Sequence, residues 1–182
     1  MHRSWRTPIF LVLAAGAALT WSAMIRPVSS ISEHISGVRP GDLAPDFTLE
    51  TLAGDSVTLS ELRGHPILVN VWASWCTPCK YEMPAIQKVY EELKDQGLVV
   101  LAVNLTKKDD LAAVSTFVQE LSLTFPVLLD VDGQVEEAYQ LRGLPSSFFI
   151  DGDGIIQSVV IGGPMSEGVV RTEVEKLVDE KD

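Results

Sequence analysis

The chain has 182 residues, 46% of them hydrophobic and 21% charged, which suits one globular domain with a tail and excludes a disordered or fibrous chain. Its net charge is −11; the first 26 residues hold only Arg3, Arg6 and Arg26, so the remainder sets 11 basic against 25 acidic residues. An acidic surface excludes nucleic acid, whose phosphates demand the opposite sign. The only two cysteines lie three residues apart, too few for a disulfide framework.

Between Arg6 and Arg26 run nineteen uncharged residues, TPIFLVLAAGAALTWSAMI. That length is close to the roughly 20 residues a helix needs to cross a bilayer. The basic residues before it keep the N-terminus cytoplasmic by the positive-inside tendency, and Trp5 and Trp21 suit the two interfaces. Residues 1–26 are therefore expected to be a membrane anchor, with residues 7–25 in the bilayer and the domain outside the cytoplasm. A cleaved secretory signal is the alternative, although Trp21, Met24 and Ile25 interrupt a small-residue cleavage site. Residues 27–40, with Pro, Ser and Gly and no periodicity, read as a linker that includes His34.

The folded domain is expected over residues 41–182. DFTLETLAGDSVTLSEL holds two short alternating runs about Ala53-Gly54-Asp55, the pattern of a β-hairpin, with a helical turn at Ser60-Glu61-Leu62. PILVNVWA (66–73) is a β-branched apolar run suited to a central strand buried on both faces, and His65 before it suits a turn. From Cys76 onward Met83, Ile86, Val89, Tyr90 and Leu93 recur at helical spacing, and Gly97 ends the helix. A second buried strand (98–105), an amphipathic helix (Asp109–Leu121), a strand (125–130) and a short helix (135–140) follow. Strands 146–151 and 155–161 form a terminal hairpin about Asp153-Gly154, and a helix over 166–178 closes the chain. The order predicts an α/β fold: a central mixed β-sheet flanked by helices on both faces, with an N-terminal β-hairpin extension.

Trp75-Cys76-Thr77-Pro78-Cys79 sits where the buried strand passes into a helix. With Cys76 at the helix start, Cys79 lies one turn on and on the same side, within reach for a disulfide. Pro78 fits an early helical position, where its missing N–H costs little. Free N–H groups and the positive end of the helix dipole favour a thiolate at Cys76, below the free value of about 8.5. Cys79, deeper in the helix, is the resolving thiol. A purely structural disulfide closes too small a loop to stabilise much. Zinc would need two further ligands, and the only histidines are His2, His34 and His65. The expectation is a redox-active Cys76–Cys79 disulfide with no metal and no other cofactor. Further on, Leu144-Pro145 enters a strand, a place that accommodates either a cis peptide or an ordinary trans turn.

Taken in order, Gly41-Asp42-Leu43-Ala44-Pro45-Asp46-Phe47, Val71 to Cys79, Phe125-Pro126-Val127 and Leu144 to Asp151 resemble the thioredoxin superfamily. Within it the chain is similar to the extracytoplasmic ResA/TlpA/CcmG branch of thiol–disulfide oxidoreductases. The resemblance implies a thioredoxin-like fold, a cis peptide at Pro145, and pairing of Leu144 with client backbone beside the sulfurs; Trp75 is the other expected client-binding residue. Asn70 stands where many thioredoxins carry a buried acid, and Glu82 stands where this branch has a glutamate near the cysteine pair. A partly buried Glu82 would have a raised pKa and could exchange a proton with Cys79; a Glu82 solvated on an exposed helix face is the alternative. Pro84 matches a proline of the family's helix. The implied clients are protein disulfides, among them the haem-binding segment of apocytochrome c, with electrons from a membrane thiol transporter.

Three rivals share parts of this pattern. A peroxiredoxin needs Pro and Thr or Ser where this chain has Val69 and Ala73. A general extracytoplasmic dithiol oxidase or isomerase uses the same cysteines at another redox poise. A metal- or haem-handling thiol module would want a wider cysteine spacing and a histidine far along the folded domain, and this chain has neither.

Overall fold

Strand β3 (Ile67–Trp72) is buried along its whole length, as its run of β-branched residues dictates. In the computed structural model, which describes residues 38–179, it lies inside a seven-stranded mixed sheet. The expected anchor over 1–26 and most of the linker lie outside the described residues; among the described residues no helix is long and apolar enough to cross a membrane. β3 pairs in parallel with β4 (Val99–Asn104) and antiparallel with β6 (Ser146–Ile150). β6 turns back into β7 (Ile156–Ile161) at one edge, and β5 (Val127–Leu129) extends the parallel part beyond β4.

The leading hairpin forms as its alternation requires, with β1 (Thr48–Thr51) against β2 (Ser56–Thr58). Gly54 takes a positive φ of 96° at the turn, a conformation that favours glycine. The hairpin also joins the central sheet: Glu50 and Thr51 pair antiparallel with Leu129 and Leu128 of β5. The full strand order is β2-β1-β5-β4-β3-β6-β7.

Among the described residues four α-helices flank the sheet: α1 (Thr77–Leu93), α2 (Leu111–Glu120), α3 (Gln134–Ala138) and α4 (Glu167–Asp179). The two-residue period of β3 divides the core between them. Leu68 and Trp72 face a layer holding Met83, Ile86 and Val89 of α1, Val114 and Phe117 of α2, and Val170, Val174 and Leu177 of α4. Ile67, Val69 and Val71 face the other layer with Leu101, Val103, Leu128, Phe148 and Val135 of α3. Tyr139, just after α3, packs edge-on against Phe47 and Phe148 and donates to Pro45 O at 2.9 Å, tying the leading segment to this layer.

Candidate active site

Cys76 caps α1. Its backbone is extended (φ −82°, ψ 103°), and its Sγ accepts a hydrogen bond from Cys79 N at 3.3 Å, the pattern of an N-cap side chain meeting the N3 amide. Pro78 occupies the first turn, where no intrahelical N–H bond is lost. The two cysteines form a disulfide with Cα atoms 5.3 Å apart. Cys79 is fully buried and Cys76 is 5% exposed, so Cys76 is the sulfur nearer the surface.

The loop that delivers Cys76 is clasped from a distance. Asp109 accepts from Ser74 N at 2.6 Å and from Ser74 Oγ, and also from Asn104 Nδ2 at 2.8 Å. Burial pushes the Asp109 carboxyl up, but these bonds and one from Asp110 N outweigh it and hold the group below its ordinary range. Trp75 projects from this loop, 60% exposed, with its ring N–H donating to Lys108 O at 2.9 Å.

Antiparallel pairing brings the second half of the site alongside. Val71 faces Ser146 and Asn70 faces Ser147, so Pro145 lies at the end of β3 from which the chain runs on to Cys76. The Leu144–Pro145 peptide is cis. A groove of about 480 Å³ runs between the two segments, lined by Trp75, Cys76 and Pro78 on one side and Arg142 and Leu144 on the other, with Lys108 at its rim. Lys108 is ion-paired with Glu136.

Beneath the disulfide lies a buried polar group. Cys79, Glu82, Met83, Ile86 and Val89 form the inward stripe of α1, so Glu82 follows Cys79 by one turn and is fully buried. Glu82 Oε1 accepts from Asn70 Nδ2 at 2.7 Å and Oε2 accepts from Met165 N at 3.1 Å. Asn70 Nδ2 also donates to Ser147 Oγ at 2.9 Å, while Asn70 Oδ1 has no hydrogen-bond partner among the described residues. Burial raises the Glu82 pKa above the usual carboxylate range; the Met165 and Asn70 donors oppose it without cancelling it. Asn70, at the place of the buried acid of many thioredoxins, thus hydrogen-bonds the carboxylate on the helix.

Comparison with known proteins agrees with this geometry. The model of the AhpC/TSA family matches residues 40–159, which include both cysteines and the cis-proline segment. The thiol–disulfide oxidoreductase ResA of Bacillus subtilis is 37% identical over 166 residues, covering 91% of this chain and 87% of that protein. This chain belongs to the AhpC/TSA family, among its ResA-like thiol–disulfide oxidoreductases. The thioredoxin-like protein YneN of Bacillus subtilis is 33% identical over 180 residues, 98% of this chain and 99% of that one. Among solved structures, a putative thiol:disulfide interchange protein DsbE from Chlorobium tepidum superposes with a TM-score of 0.70 at 30% identity. It covers 79% of this chain and 99% of that chain. The fold of this ResA-like chain is therefore thioredoxin-like, and its activity is thiol–disulfide exchange.

All six residues singled out from the sequence, Trp75, Cys76, Cys79, Glu82, Leu144 and Pro145, lie at or directly beneath this groove. Sequence reasoning missed Asp109, Asn104 and Ser147, and the turn that presents Met165 N. No local signal marks them: Asp109 reads as a helix start, and its partner Ser74 lies 35 positions away.

Proposed function

We propose that this ResA-like chain is a membrane-anchored, extracytoplasmic reductase of protein disulfides that serves cytochrome c maturation. The observation that carries the reductive mechanism is the buried Glu82 one turn beyond the buried Cys79, held only by neutral donors. In the reduced protein the Cys76 thiolate, stabilised at the start of α1, attacks one sulfur of a client disulfide lying in the groove. The client S–S bond breaks, a Cys76–client disulfide forms, and the first client thiolate leaves. Glu82, as carboxylate, takes the Cys79 proton, and the Cys79 thiolate attacks Cys76 Sγ. The second client thiolate departs and the Cys76–Cys79 disulfide forms; two electrons have passed to the client, and its thiolates take up protons. A reduced dithiol on a membrane thiol transporter restores the pair by the reverse exchange.

The location is supported by the uncharged stretch over 7–25 and its basic flank, and the apocytochrome c client by resemblance to the ResA-like branch. The Leu144-Pro145 segment offers the client a backbone edge across the groove from Cys76.

Cys79→Ser in the full chain tests the reading by stalling exchange at the Cys76–client stage. The expected result is a mixed disulfide, recovered from membranes, that contains an apocytochrome c. Recovery of many unrelated secreted proteins would replace the maturation reading with a general oxidase, and recovery of none would remove Cys76 as the attacking thiol.

A further inference from the structure

Residues 162–166 link β7 to α4, and the turn through Gly162, Gly163, Pro164 and Met165 touches both halves of the site. Gly162 N donates to Pro145 O at 2.8 Å, and Met165 N donates to Glu82 Oε2 at 3.1 Å. Between these contacts, a Cβ on Gly163 would stand 2.8 Å from Glu82 Oε2 and 2.8 Å from Pro145 Cγ. Carbon atoms do not approach that closely without displacing a neighbour. Neither neighbour yields easily: Pro145 is a rigid ring at the head of β6, and Glu82 is pinned by two hydrogen bonds. The turn is not free to lift either, because Met165 is buried among α1 and α4 side chains.

The two glycines are small for different reasons. Gly162 has φ +81° with open space where a Cβ would go, so its backbone conformation demands glycine. Gly163 is not in the left-handed region; there it is the space between Glu82 and Pro145 that a side chain would have to enter.

We propose that Gly163 is a positioning residue for thiol–disulfide exchange, its missing side chain letting one turn seat against the Glu82 carboxyl and the Pro145 docking segment together. The proposal rests on the reading of Glu82 as the proton acceptor for Cys79. The groups that hydrogen-bond Glu82 are Asn70 from β3, with Ser147 of β6 behind it, and the Met165 N–H from the turn, while Cys79 lies one turn before it on the same buried stripe of α1. On α4, Glu167 and Arg171 are engaged on the outer surface with Lys88 and Glu92. Of Asn70, Ser147, the Met165 N–H and Cys79, only Cys79, once the disulfide is reduced, carries an exchangeable side-chain proton of ionisable type.

The test is the pH profile of oxidation of the reduced full-length chain by oxidised glutathione, followed by tryptophan fluorescence, for wild type, Glu82→Gln, Gly163→Ala and the double variant. Gly163→Ala pulls Glu82 from the Met165 N–H, a donor that favours its charged form. The midpoint of the profile therefore moves to higher pH, and the rate at neutral pH falls about tenfold. In the Glu82→Gln background the same change moves no midpoint. A folded Gly163→Ala chain with the wild-type profile, beside a Glu82→Gln chain whose profile is altered, would overturn the role of Gly163 alone. An unaltered Glu82→Gln profile would overturn the Glu82 reading and this proposal with it. If Gly163→Ala does not fold, the wild-type chain still decides: the Met165 backbone N–H resonance must titrate in step with the Glu82 carboxyl, and a flat Met165 titration refutes the coupling.

Discussion

On one face of β3, Ile67, Val69 and Val71 pack into a layer with Leu101, Val103, Leu128 and Phe148; its buried hydroxyls on Tyr139 and Ser146 donate to Pro45 O and Gly143 O, and the buried Asp130 carboxyl at its margin accepts from Val135 N and Glu136 N. On the other face Asn70 stands between Leu68 and Trp72, reaching a buried carboxyl and a buried serine. Both faces bury polar groups at a desolvation cost, yet only the second places a carboxyl of raised pKa one turn from the buried cysteine. The apolar face follows the ordinary rule of close packing. The polar face runs against that rule, and it lies directly under Cys76 and Cys79. Stability and chemistry are thus assigned to opposite sides of one strand.

That division can be broken experimentally, and the largest effect belongs to the apolar face. Leu128→Ala, in a fully buried site, is expected to cost about 2–5 kcal/mol in urea unfolding while leaving the pH profile of thiol exchange unchanged. A shifted profile would mean that the two faces are mechanically coupled.

Asn70→Ala comes next and should act on both quantities. It strips Glu82 Oε1 and Ser147 Oγ of a donor, at a cost of about 1–3 kcal/mol. In the wild type the Glu82 pKa is raised in the folded state. The stability it contributes is therefore fully present below the unfolded value and is lost as pH rises through the folded value. Removing Asn70 raises the folded value further, so the pH range of that loss moves upward. Urea unfolding across a pH series measures it, and a range that stays in place would show that Asn70 does not tune the carboxyl.

The smallest expected effect is Tyr139→Phe. Burial pushes the Tyr139 hydroxyl pKa upward and keeps it protonated, so the change removes one hydrogen bond to Pro45 O and little packing. A loss of about 1 kcal/mol is expected with unaltered exchange kinetics. A change in exchange rate would link the leading segment to the site.

Most of the fold was legible because its strands and helices carry strong periods. The all-buried β3, the hairpin about Gly54 and the inward stripe of α1 follow from patterns that local physics enforces. Most boundaries moved by only one or two residues, as where the short helix expected over 135–140 forms over Gln134–Ala138; the helix expected to run to Gly97 ends at Leu93 and reaches that glycine through a 3-10 turn over Lys94–Gln96. The pairing of β1 with β5 was not legible, since nothing in either strand names the other.

The same division holds at the site. By itself the sequence determined the cysteine pair at a helix start and a carboxylate one turn later, because spacing within one helix is a local property. That Glu82 is fully buried, that Asn70 and Met165 hold it, and that Pro145 lies at the same end of β3 as the cysteines were decided only by tertiary structure. Those contacts join residues 12, 77 and 83 positions apart. A period of burial specifies which side of an element turns inward, but the register of neighbouring strands and helices chooses the partner it meets there.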